Sequence, residues 1–247
     1  AVSKWMFGGE LEDGTVWKGV EGVIDQELKR SNERYKKATE LMKKEGLTDK
    51  HMIDKFKIKG EPVVMRGQTI TNQRAIAVYI YDQQKKGKVL LRNLDGNGFT
   101  NSEVEKIIDN LTESQKRLGD FMIKDFASVR GEVEETYYKV NNKMLGWEDN
   151  YFPLIGTGDN ARFSSVLESS QGKPSSDPRH TFTEQRTGEV YKLNLDVVTS
   201  WASMVKQQEH YIAGAEYFSQ TQNLMNKHGG DLYSAISETK GPVYAAK

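Results

Sequence analysis

The chain contains no cysteine, which removes disulfides, thiolate nucleophiles and cysteine-ligated zinc in one step. Zinc-finger, thioredoxin-like and cysteine-protease chemistries go with them. Net charge is also missing: 35 Lys and Arg balance 35 Asp and Glu over 247 residues. No overall field therefore draws in a polyanion, and an obligate duplex-binding protein is disfavoured, although a local basic patch stays open. No apolar run approaches the roughly 20 residues that cross a bilayer, and the start, Ala1 to Phe7, lacks the charged-then-apolar layout of a signal peptide. The expectation is a soluble chain that is not exported by the secretory route. Because Ala1 is not Met, the chain is expected to have lost its initiator or to have been cut from a longer precursor. Gly-x-Ser-x-Gly elbows, phosphate-binding Gly-rich loops before Lys-Ser/Thr and dinucleotide fingerprints are all absent, so acyl transfer, nucleotide hydrolysis and hydride transfer lack their usual signatures. There is no internal repeat.

What is present is helical periodicity, in a chain long enough to bury a core without metal or disulfide staples. Residues 1–17 are rich in Gly and acid, with Trp5, Phe7 and Trp17, and read as an aromatic lead-in. From Lys18 to Glu45 apolar positions recur at three- and four-residue spacing among Lys and Glu, which predicts an amphipathic helix stopped by Gly46. Residues 46–70 predict a loop with one extended stretch at Val63-Val64-Met65. A second helix is expected from Thr71 to about Gly87, and a third from a capping box at Thr100-Asn101-Ser102-Glu103. The longest signal runs from Thr112 to Leu145, where Leu118, Phe121/Met122, Asp125/Phe126, Val129, Val133 and Val140 sustain one face. At 1.5 Å per residue that helix would span roughly 50 Å and act as the spine. Pro153 ends it. Helical spacing returns from Asn194 to His228, and a last short helix is expected at Asp231 to Thr239.

These signals predict a mainly α fold. A long central helix packs with several shorter helices, and one long irregular loop has room for short strands such as Glu189 to Leu195. Four segments are expected: an N-terminal lead-in and helix (1–64), a helical core with the long helix (65–153), a Ser/Gly/Pro-rich loop (154–193) and C-terminal helices (194–247).

Four groups of residues are candidates for function. Asn93, Asp95, Asn97 and Glu103 mimic a calcium loop, with oxygen ligands at alternate positions and Gly98 at the sixth. The register fails, since Val104 occupies the position of the bidentate acid; the competing reading is a helix-to-helix turn closed by the capping box. Calcium is the one cofactor this leaves open. Lys29, Arg30, Arg34, Lys36 and Lys37 lie along one helix and could contact phosphates, but interleaved Glu27, Glu33 and Glu40 equally suit i,i+4 pairing. Trp147, Tyr151 and Phe152 form either a seam between the long helix and the next loop or, if exposed, a partner surface. His51, His180, His210 and His228 are dispersed, without the i,i+4 spacing of a helical zinc site.

The order Thr69-Ile70-Thr71-Asn72-Gln73-Arg74-Ala75, then Leu111-Thr112-Glu113 with Leu118-Gly119-Asp120, then Asn150-Tyr151-Phe152-Pro153, resembles helical segments of large polyvalent proteins encoded by tailed phages and other mobile elements. Leu193-Asn194-Leu195-Asp196 and Glu209-His210-Tyr211-Ile212 continue the pattern, so the resemblance covers residues 65–240. It implies a non-catalytic structural or interaction module of a long virion-associated or conjugation-associated protein. Such a module is delivered with DNA, meets protein partners or other domains of the same chain, and resides in the virion or host cytoplasm. It supplies no catalytic residues. Two alternatives are a nucleic-acid-associated module using the Lys29 helix, and an enzyme with its site under loop 154–193, which predicts a pocket with convergent polar groups.

Overall fold

A computed structural model of the chain describes residues 15–146, 149–157 and 192–227. It is mainly helical. In chain order the elements are α1 (Thr15–Lys44), α2 (Asp49–Ile53), two hairpins β1 (Lys57–Ile58) with β2 (Glu61–Pro62) and β3 (Val64–Met65) with β4 (Gln68–Thr69), then α3 (Asn72–Asp82), α4 (Lys85–Arg92), α5 (Asn101–Asp109), α6 (Glu113–Ser128), α7 (Arg130–Asn141) and α8 (Val197–Lys227). No described helix is long and apolar enough to cross a membrane. The first lead-in residues and the expected helix at Asp231 to Thr239 lie outside the described residues, as does most of the long loop.

Local chemistry explains the boundaries. α1 ends with the Leu47 amide on the Met42 carbonyl and the Gly46 amide on that of Lys43, with Gly46 at φ 70°. This is the paired-bond stop that a glycine permits. The predicted capping box at α5 is made by reciprocal bonds of Thr100 with Glu103, and a second, which the sequence reading did not name, joins Thr112 with Gln115 at α6. The stretch expected to be mostly loop is instead two tight antiparallel hairpins, registered Lys57 to Pro62 and Val64 to Thr69. Their two-residue turns, Lys59-Gly60 and Arg66-Gly67, hold positive φ at both central residues. Turns of that hand match strand twist but favour Asn-Gly or Asp-Gly, so Lys-Gly and Arg-Gly carry a weak sequence signal. The helix expected to run to Gly87 breaks earlier: α3 stops at Asp82 and α4 restarts at Lys85, running through Gly87. A Cβ on Gly87 would lie 2.5 Å from the Tyr81 carbonyl oxygen, so the glycine serves close packing of α4 on the end of α3. The long helix is likewise delivered as α6 and α7, interrupted at the single residue Val129, whose ψ of 7° leaves the helical region.

The described chain divides into two units assembled from non-consecutive segments, one from residues up to 31, 132–144 and from 206 onward, the other from 32–131 and 145–205. The division falls inside α1, after Ser31, and inside α8, before Lys206.

In the second unit, α3 packs against α2, α4, α5 and α6. Ala75, Ile76, Ala77, Val78, Ile80 and Tyr81 are fully buried, and a helix that is apolar all round can be stable only inside. In the first unit fewer apolar groups are buried, among them Val23, Val133, Tyr211 and Ala215. Here Gly214 comes so close to its neighbours that a Cβ would lie 3.0 Å from Val23 Cγ1.

Candidate functional site

α1 places Val23, Glu27, Ser31, Arg34 and Ala38 on its buried side, a stripe at four- and three-residue spacing that is polar in its middle. Each buried charge on it meets a partner. Within the second unit, Arg34 Nε donates to both carboxylate oxygens of Asp125 at 3.1 and 3.0 Å, and Nη2 donates to Oδ2 at 2.6 Å. The indole Nε1 of Trp201 donates to the same Oδ2 at 3.0 Å, and the guanidinium stands 5.6 Å over the Phe126 ring. One carboxylate thus ties α1, α6 and α8 together inside an apolar surround, where a forked guanidinium suits a carboxylate best. Within the first unit, Arg30 Nη1 pairs with Glu132 at 2.8 Å and Nε with the fully buried Glu209. The Glu132 hydrogen bond, with that of Glu209, raises the Arg30 pKa against the opposing effect of burial. His210 Nδ1 lies 2.7 Å from Glu27 Oε2.

The basic helix proposed for phosphate contacts is therefore corrected in part. Arg34 is 5% exposed and Arg30 is doubly paired, so neither is presented to a polyanion. Lys36 approaches Glu40 at 4.0 Å in the i,i+4 pairing that the interleaved acids suggested. Lys29 and Lys37 are exposed. Spacing identified one helix; it could not say which cations faced inward.

Three of the four candidate calcium ligands, Asn93, Asn97 and Glu103, are engaged in bonds of the fold. Asn93 Oδ1 accepts from the Asp95 amide at 3.0 Å, closing a turn. Glu103 Oε2 accepts from the Thr100 amide at 2.7 Å in the capping box. Asn97 is buried, and its side-chain amide grips Leu193 at both backbone groups, Nδ2 to the carbonyl at 3.1 Å and Oδ1 from the amide at 2.8 Å. That grip copies a strand pairing with a side chain. Among the described residues no cluster of His, Asp and Glu is arranged as a metal-ligating group.

Of the aromatic candidates, Trp147 lies outside the described residues. Phe152 is fully buried, edge-on to Tyr81 at 5.6 Å and to Phe126 at 5.5 Å, and Tyr151 stacks edgewise on Phe126 at 6.2 Å. They are the interior seam, not a partner surface, and Gln84 Nε2 fixes the segment by donating to the Phe152 carbonyl at 2.9 Å.

The second unit also contains a pocket of about 230 Å³ that no local motif announced. The Arg66-Gly67 turn, the start of α3, the loop after α4 and the two ends flanking 158–191 build it. Thr157 and Lys192 are held side by side by the amide of Thr157 on the Lys192 carbonyl at 2.9 Å, next to the bridge between Gly156 and Leu193. Ile70 and Phe99 give it an apolar lining; Arg66, Arg74 and Lys192 give it cations; among the described residues no Asp or Glu lines it. Arg66 is oriented by two donations to the Gly98 carbonyl, at 2.9 Å from Nε and 2.6 Å from Nη2. Gly98 permits this approach, since a Cβ there would lie 2.9 Å from Arg66 Nη2. Asn194 lines the same pocket and is 8% exposed; its Oδ1 accepts from the Asp196 amide at 2.9 Å, whereas its buried Nδ2 has no acceptor among the described residues. These residues come from segments more than a hundred positions apart, so the only sequence hint was an Arg-Gly pair beside the β-rich run.

No family model matches this chain, and no curated protein or solved structure matches it.

Proposed function

We propose that this chain is a non-catalytic helical structural and interaction module of a larger phage-type or mobile-element protein. The observation that carries the reading is the use of buried charge. Asp125, with its three donations from Arg34 and one from Trp201, fixes the register of three helices, and a buried pair of this kind specifies geometry more than it adds stability. Arg30 between Glu132 and Glu209 has the same form in the first unit. The order of helical motifs, resembling that of polyvalent phage proteins, supplies the biological setting, virion or host cytoplasm.

The test is mass spectrometry of purified particles produced from the genome that encodes this sequence, compared with particles from a deletion of its codons. The reading expects peptides of this chain in intact particles, and a delivery or assembly defect in the deletion that an Asp125→Ala variant reproduces at raised temperature. Particles that lack these peptides, with normal assembly and DNA delivery after deletion, overturn it.

A further inference from the structure

We propose that the pocket lined by Arg66, Arg74 and Lys192 binds a phosphoryl group, free or carried on a small ester, a role separate from that of a structural module. The first ground is charge. In a chain whose cations and anions cancel, this cavity gathers three cations and, among the described residues, no carboxylate. The side chains of Arg74 and Lys192 form no ion pair or hydrogen bond with any described residue, whereas Arg30 and Arg34 are both paired. Unbalanced cations held together repel one another, and a multivalent anion relieves that repulsion.

The second ground is an unmet donor. Asn194 lines the pocket, and its Nδ2 is buried with no acceptor among the described residues; a buried donor left unsatisfied is costly enough to call for an explanation. An oxygen-rich anion supplies the acceptor after a small side-chain adjustment. The third is preorganisation. Arg66 is fixed by the Gly98 carbonyl, with its Nη1 outside those two bonds, and the backbone carrying Lys192 is fixed by Thr157 and by the Asn97 grip on Leu193. Cations held in place before binding lose less freedom on binding.

Chemistry and size narrow the ligand. Separate cations around a cavity suit a tetrahedral dianion with several oxygens better than a planar carboxylate, which one guanidinium satisfies alone. A volume of about 230 Å³ falls below the roughly 300 Å³ at which drug-sized pockets begin, so it takes a phosphoryl group with a compact body, for which Ile70 and Phe99 provide an apolar surface.

The experiment is calorimetric and ³¹P NMR titration of the full chain with inorganic phosphate, glycerol 3-phosphate, glycerol and acetate. The variants are Arg74→Gln, Lys192→Gln and, as an exposed-cation control, Lys29→Gln with Lys37→Gln. The expected result is saturable phosphate binding weakened about tenfold by either pocket variant, the loss of one charge-assisted hydrogen bond, and unchanged in the control. Thermal midpoints of all variants should match the parent, since these side chains make no described internal bond. Equal affinity for phosphate and glycerol 3-phosphate identifies the free anion as sufficient. Tighter binding of glycerol 3-phosphate identifies a small ester, and either result supports the site. No saturation, equal response to acetate, glycerol binding as well as its phosphate, or a loss confined to the control variant overturns it.

Discussion

Two groups of cations in this chain differ in the sequence, and the structure reverses what that difference suggests. On α1, Arg30 and Arg34 stand in a run of basic residues, yet each is turned inward onto carboxylates, with Asp125 and Glu209 nearly or fully buried. Around the pocket, Arg66, Arg74 and Lys192 are isolated in the sequence, yet they are brought together with no acid among the described lining residues. Clustering along the chain is therefore a poor guide to where charge stays available. Burial decides it, because a charge taken out of water must be paired, and pairing removes it from any outside ligand.

The comparison is broken most severely at Asp125. Asp125→Ala strands the buried Arg34 charge and should cost about 3–5 kcal/mol in denaturant unfolding. Joint replacement of Arg34 by Met and Asp125 by Leu should recover most of that loss; a double variant as unstable as the single would show that the charge pair is not what matters. Arg30→Met leaves Glu209 buried with one donor fewer, and about 1–3 kcal/mol should be lost. In contrast, Arg74→Gln and Lys192→Gln should change stability by less than about 0.5 kcal/mol, with their effect appearing in phosphate titration alone. A large destabilisation there would mean that these cations are structural after all.

An intermediate case sharpens the contrast. Arg117 Nη2 reaches Glu45 Oε2 at 2.6 Å, and Ser114 adds a hydroxyl donation at 2.7 Å. The Arg117 hydrogen bond first, and then that of Ser114, hold the Glu45 carboxyl down to about 2, below its ordinary 4.5. Because the folded value is depressed, the contribution is fully present above the ordinary value and is lost as pH falls through about 2. Glu45→Gln should flatten that part of the stability profile between those two limits, while leaving the neutral-pH fold intact by circular dichroism. A profile that keeps its slope would remove this pair from the acid response.

How much of this was legible varies by element. The capping box at Thr100 and the stop at Gly46 are local chemistry, decided within a few residues, and the reading of those helix ends required nothing else; at Thr112 the sequence reading gave only the start of the helical signal. The split between α3 and α4 was not legible, because it depends on Gly87 lying against the Tyr81 carbonyl. Asp125 stood on an apolar face of the long helical signal, and an acid in such a place was a usable sign of a buried partner, though not of which arginine. For Asn97 the sequence suggested an oxygen ligand, whereas the structure uses both ends of its amide on Leu193, 96 residues away.

Periodicity, caps and turn residues determined by themselves that this chain is helical and roughly where its helices start, since those features are set by neighbours within one or two turns. Which charges face inward, which aromatic groups close the seam at Phe152 and which distant cations meet at the pocket were decided only by tertiary structure. The reason is physical: desolvation and Coulomb attraction act through space between groups whose distance in the folded chain bears no relation to their separation along it.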